Sequence, residues 1–171
     1  MEDKVKLLLE RIHLNPDNYS FFEHAHLEKI IINRQSGHWQ VLLTLPEFLP
    51  VTIYEEIEQN KTQLAEHIDF QYLVENGDLT ILLTYYPYFL QQLQQQDKIK
   101  LTTIYSENLH LQDQRLVLQA ANKIEQLRLE EIKPLLQKLY QKAGYQDLIS
   151  IELTTDPSVA EAIHQELEQV T

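Results

Sequence analysis

Trp39, Val41, Leu43 and Leu45 take every second position of one run, and prolines close that run at Pro46 and again at Pro50. No other feature restricts the fold as sharply. Alternation places the four side chains on one face of an extended strand. A proline cannot donate to a ladder, so the strand has to stop before Pro46. Gln35-Ser36-Gly37 just ahead can turn the chain back, which makes the Ile-rich stretch Leu27 to Asn33 the partner strand.

Helices are expected on both sides of this pair. Val5, Leu8, Leu9 and Ile12 are spaced as one apolar face of a helix within Glu2 to Leu14, which Asn15-Pro16-Asp17-Asn18 ends. Ile53, Tyr54, Ile57, Lys61, Leu64 and Ala65 mark a second helix. Phe70, Tyr72 and Val74 alternate as a third strand that stops at Glu75-Asn76-Gly77. The order then repeats. Leu79 to Gln96 has a helical pattern with an interruption expected at Pro87, and its Gln-rich end reads as a solvated face. Ile99 to Tyr105 suits either a helix or a short strand. Leu109 to Leu111 and Arg115 to Ala120 form a hairpin around Asp113-Gln114. Asn122 and Glu125 have capping-box spacing at the head of a long helix, which Pro134 is expected to kink or split. Gly144 suits the helix C-terminus. Leu148 to Leu153 is a strand, and Asp156-Pro157 opens a last helix.

Each half therefore reads helix, strand, strand, helix, strand. The expected fold is α+β, with two small tandem domains over residues 1–76 and 77–156. Each is a three-stranded sheet with helices packed on one face, and residues 157–171 begin an acidic helical linker.

Composition removes several function classes. The 43% hydrophobic content is that of a globular chain. No apolar run approaches the roughly 20 residues that span a bilayer, and Lys4 and Lys6 lead only into a short apolar run broken by Glu10 and Arg11, so no signal peptide is read. The chain has no Cys, which excludes disulfides and thiolate metal sites and fits a cytoplasmic location. The net charge is −12. Residues 1–75 hold six basic and thirteen acidic side chains, a net of −7; residues 76–171 hold eight and thirteen, a net of −5. Binding to a phosphate backbone draws on Lys and Arg clusters, whereas this acidity suits a basic protein partner.

Chemistry-bearing motifs are sparse. His24 and His26 lack the third and fourth ligands a metal needs. Lys61-Thr62 lacks the glycines of a phosphate loop, and three glycines in the whole chain make no cradle. Asn18-Tyr19-Ser20 matches a glycosylation sequon in a chain with no sign of secretion. Tyr85, Tyr86, Tyr88 and Phe89 could stack bases, but no Lys or Arg is interleaved, so core packing is the better reading. The same holds for Trp39. No catalytic residue, cofactor or metal ligand is expected. One surface stands out as partner-binding: Glu47, Phe48 and Leu49 between the prolines, with Glu55, Glu56 and Glu58 on the helix after them. The loop either displays Phe48 and Leu49 as an anchor inside an acidic rim, or tucks them under as a plug.

Leu27 to Asn33, Ser36, Trp39, the alternating strand, Leu49-Pro50 and Tyr54 resemble the N-terminus of the PolC-type DNA polymerase III alpha subunits, the replicative polymerases of low-GC Gram-positive bacteria. The likeness continues through Tyr85-Tyr86, the Leu111 to Val117 hairpin, Gly144-Tyr145 (Gly-Phe is usual) and the strand that follows. The resemblance implies a much longer parent, a DNA-directed DNA polymerase with a 3'-5' exonuclease, whose catalytic carboxylates lie outside these residues. It implies a first domain like the polymerase-binding end of the clamp-loader tau subunit and a second like a type II KH fold. It further implies a non-catalytic role in replisome assembly, with the tau subunit or another replisome protein as partner. The alternative is a KH-like module for single-stranded nucleic acid. KH domains grip nucleic acid with a Gly-x-x-Gly loop. This chain has none, and its second half is acidic, both of which weigh against that alternative.

Overall fold

The computed structural model describes residues 1–96, 108–154 and 166–168. The expected element at Ile99 to Tyr105, the last helix from Asp156-Pro157 and the linker over 157–171 lie outside that set, apart from three residues.

The chain runs α1 (Asp3–Arg11), a 3-10 segment (Pro16–Phe22), β1 (His26–Ile32), β2 (His38–Leu45), α2 (Val51–Asn60) and β3 (His67–Val74). It continues with α3 (Thr80–Leu83), α4 (Tyr85–Gln95), β4 (Leu109–Gln112), β5 (Arg115–Ala120), α5 (Lys123–Ala143) and β6 (Ser150–Leu153). The first sheet has the order β1-β2-β3, with β1 antiparallel and β3 parallel to β2. The second repeats the same plan: β4-β5-β6, with β4 antiparallel and β6 parallel to β5. In each, a parallel neighbour requires a crossover, and α2 and α5 supply it. The fold is thus α+β with two three-stranded sheets.

Local chemistry explains the elements. Val5, Leu8, Leu9 and Ile12 are all buried, so the apolar face of α1 is spent on the core. The Asn33 side chain accepts the N–H groups of Gln35 and Ser36 and, with Gly37 at φ +72°, shapes the β1–β2 turn. Val41, Leu43 and Leu45 are buried as the alternation predicts, whereas Trp39, at the start of β2, is only half-buried. It pairs with Ile32, which is 49% exposed, at the turn end of the hairpin. Removing Trp39 therefore costs less than the roughly 3–5 kcal/mol of a fully buried aromatic.

Two prolines behave differently from expectation. Pro87 does not interrupt a helix: the break falls at Thr84, between α3 and α4, and Pro87 is the third residue of α4. In the first turn its missing N–H would have had no intrahelical partner. Pro134 does not split α5, which is continuous over 21 residues. Pro134 and Glu130, whose carbonyl loses its partner, both face solvent, while Leu129, Ile132, Leu136 and Tyr140 bury the opposite face. Asn122 caps the helix by accepting the Glu125 N–H, and Gly144 closes it at φ +116°.

One apolar core serves both sheets. The C-terminal half of α5 lies along β3: Gln71 Nε2 donates to the Gln141 carbonyl at 2.6 Å. Tyr140 donates to the Leu82 carbonyl and Tyr85 to that of Leu49. The rings of Tyr54, Tyr85, Phe89 and Tyr140 meet edge to face across this junction. Tyr85, Tyr86 and Phe89 are core residues, which removes them as a base-stacking platform. The Tyr72 hydroxyl is buried and finds no hydrogen-bond partner among the described residues. Tyr72→Phe should therefore leave stability unchanged or raise it by about 0.5–1 kcal/mol; a lower chemical-denaturation midpoint would show that the hydroxyl is satisfied after all.

Candidate functional site

The loop from Pro46 to Pro50 carries β2 into α2, and it turns inward. Phe48 is 5% and Leu49 3% exposed. Of the two readings of this loop, displayed anchor or inward plug, the burial matches the plug. The ring of Phe48 lies on Gly77, where an added Cβ would stand 2.3 Å from two ring carbons. The Leu49 carbonyl takes the Tyr85 hydroxyl. Only Pro46 and Glu47 of the loop's centre face solvent, and Glu47 itself accepts the Asp78 N–H at 3.2 Å.

The acidic residues of α2 are also committed internally. Glu56 accepts the Asn15 N–H at 2.9 Å and Asn18 Nδ2 at 2.8 Å, pinning the segment before β1. Glu58 lies 2.8 Å from Lys61 Nζ and 3.0 Å from Lys142 Nζ. Both lysines also reach Asp69 Oδ1 at 3.2 Å, and His38 Nε2 lies 2.8 Å from Asp69 Oδ2. Two ammonium groups and two carboxylates thus form a closed set that ties α2 and β3 to α5. Glu58 cannot serve as a free rim charge. Glu55 accepts from Gln59 Nε2 at 3.5 Å; after burial, the charges of Glu58 and Glu55 help push the Tyr88 phenol up to about 12.

Asp69 carries a pH signature. Burial favours its neutral form, but the His38 hydrogen bond and the two lysines outweigh that and hold its carboxyl down at about 2. A depressed carboxylate stabilises the fold above its unfolded value, near 4, and loses that contribution as pH falls toward 2. Asp69→Asn should flatten the dependence of the melting temperature on pH between about 4 and 2. An unchanged slope would mean that the set contributes nothing to stability.

His26 and Glu2 hold the opposite edge. His26 Nδ1 lies 2.6 Å from Glu2 Oε2, and Glu2 Oε1 accepts the Leu27 N–H. That hydrogen bond raises the His26 pKa and lowers that of Glu2. Among the described residues, no group of three His, Cys, Asp or Glu that could hold a metal ion includes His24 or His26.

The open surface lies just beyond. β1 is the edge strand of its sheet, and Ile30, Ile31 and Ile32 are 38%, 45% and 49% exposed. The Asn33 N–H bonds inward to the His38 carbonyl, so antiparallel alternation turns the N–H and C=O of Ile32 and Ile30 outward. The register shift at Glu28 and the Glu2 contact to Leu27 limit this free edge to about four residues. Apolar groups on both faces and unpaired backbone groups along the rim form a template for another extended segment. The residue signal was present: three consecutive isoleucines break the alternation a strand with one wet face should show.

Comparison with known proteins places this geometry. Residues 4–72, which take in α1 through most of β3, match the family described as DNA polymerase III polC-type N-terminus I. These residues are a PolC-type N-terminal domain. The likeness to PolC-type chains extends well past it. The chain is 24% identical over 151 residues to DNA polymerase III PolC-type of Halalkalibacterium halodurans, and 22% identical over 150 residues to that of Bacillus subtilis. Each alignment covers 84% of this chain, which spans about a tenth of the length of these PolC-type relatives. Similarity to PolC-type polymerases thus extends over most of this chain, and residues 4–72 of it match the N-terminal family model. No solved structure matches. No described helix is long and apolar enough to cross a membrane.

Proposed function

We propose that this chain works in the bacterial cytoplasm as a non-catalytic protein-interaction module at the N-terminus of a PolC-type replicative DNA polymerase, and that it holds the clamp-loader tau subunit or another replisome protein. The observation that carries the reading is the bare β1 edge. An exposed apolar strand edge recruits another backbone through main-chain hydrogen bonds, while side-chain contacts on each face add selectivity. The acidic surface suits a protein partner rather than a phosphate backbone.

The test is capture of purified tau subunit by immobilised protein, with wild type beside Ile30→Lys/Ile32→Lys. These side chains are half-exposed, so the variant should keep its melting temperature within a few degrees while binding falls about tenfold or more. Equal capture by both proteins would remove β1 from the interface. Retention of the protein on single-stranded DNA at low salt, without capture of tau, would favour the nucleic-acid reading.

A further inference from the structure

On the β3 side of the first sheet, opposite β1, the two sheets meet in a shallow cleft of about 350 Å³. Phe48, Val74 and Leu79 give it an apolar floor. Gly77 and Gly144 form part of its wall, and neither tolerates a side chain: an added Cβ would meet the Phe48 ring at 2.3 Å and a Val74 methyl at 2.6 Å. Two carboxylates line it, Glu75 at the end of β3 and Asp147 after α5. Neither makes an ion pair or hydrogen bond through its carboxylate among the described residues, and no Lys, Arg or His lines the cleft. Glu47 and Asp78, next in the chain to Phe48 and Gly77, add negative charge beside it.

We propose that this cleft docks a Lys or Arg side chain on an extended segment of a partner protein, its aliphatic stem over Phe48, Val74 and Leu79 and its cationic head against Glu75 and Asp147. A long basic side chain is the occupant whose two ends match the two kinds of surface present. The overall charge is also favourable: the chain holds 26 acidic and 14 basic residues and so attracts a cation, while the Arg115 charge is felt at Tyr145 on the cleft wall. The inward turn of Phe48 acquires a role, since the loop builds a floor that receives an anchor from the partner. The site stands apart from β1, and the failure of either leaves the other untouched.

The chain's three glycines make the test specific, because two line the cleft and the third, Gly37, sits in the β1–β2 turn. The uniformly ¹⁵N-labelled protein is titrated with the peptide acetyl-Gly-Val-Lys-Val-Gly-amide, and in parallel with its norleucine counterpart and with spermidine. The Lys peptide should shift the Gly77 and Gly144 amides saturably, leave Gly37 in place, and bind at least about tenfold more weakly to Glu75→Gln/Asp147→Asn. Both substituted positions are exposed, so that variant keeps the fold. No shift at millimolar peptide, equal shifts from the norleucine peptide, undiminished binding by the variant, or the same shifts from spermidine alone would each overturn the proposal; the last would mark a polyamine site instead.

Discussion

Replacing Phe48 and Leu49 together by Ser should abolish cooperative unfolding. Both side chains are almost fully buried, Phe48 on Gly77 and Leu49 beside Tyr85. Deleting a buried Phe costs about 3–5 kcal/mol and a buried Leu about 2–5. As neighbours they need not add fully, yet the lower end of the pair already matches the total stability of a small domain, about 5–15 kcal/mol. Serine adds a hydroxyl with no assured partner, which makes the change worse than alanine would. Loss of the near-ultraviolet signal and of a heat-absorption peak is the expected result. A double variant that keeps its native melting temperature would mean that the loop displays these residues after all.

Gly144→Ala should cost about 2–5 kcal/mol, from two sources. At φ +116° an L side chain is strained, by roughly 1–2 kcal/mol. The new Cβ would also press on Val74 at 2.6 Å, and over-packing of this kind costs about 1–3 kcal/mol. The two parts separate in a double-mutant cycle. Val74→Ala clears the clash and leaves the strain, so it should recover at least about 1 kcal/mol in the Gly144→Ala background. No coupling between the two positions would show that α5 does not seat against β3 as described.

The contrast between these sites and the rest of the fold explains what could be read from residue order. Local rules carried the elements: alternation in β2, the α1 face, the Asn122 cap and Gly144 were each decided by residues within a few positions. The common helix-strand-strand-helix-strand plan of the halves followed from them. Residue order left matters open where the deciding partner is distant in sequence. The burial of Phe48 is decided by Gly77, and that of Leu49 by Tyr85, 36 residues on. Glu58 looked like a free helix-face charge because nothing near it announces Lys142. The Pro87 error was local. A proline in a helical pattern predicts a break, but after Thr84 it falls within a first turn. Ile30 to Ile32 is legible as a strand, but only the sheet order reveals that no described strand pairs with its outer edge.

The interface assignment reduces to two amides. In the free protein the outward-facing N–H groups of Ile30 and Ile32 should exchange with solvent far faster than the inward-bonded Asn33 N–H. Residue-resolved hydrogen exchange, repeated with saturating tau subunit, tests the central claim directly. Slowing at Ile30 and Ile32 is the result expected of a strand added along β1. Unchanged exchange at both amides in a complex shown to have formed would contradict it.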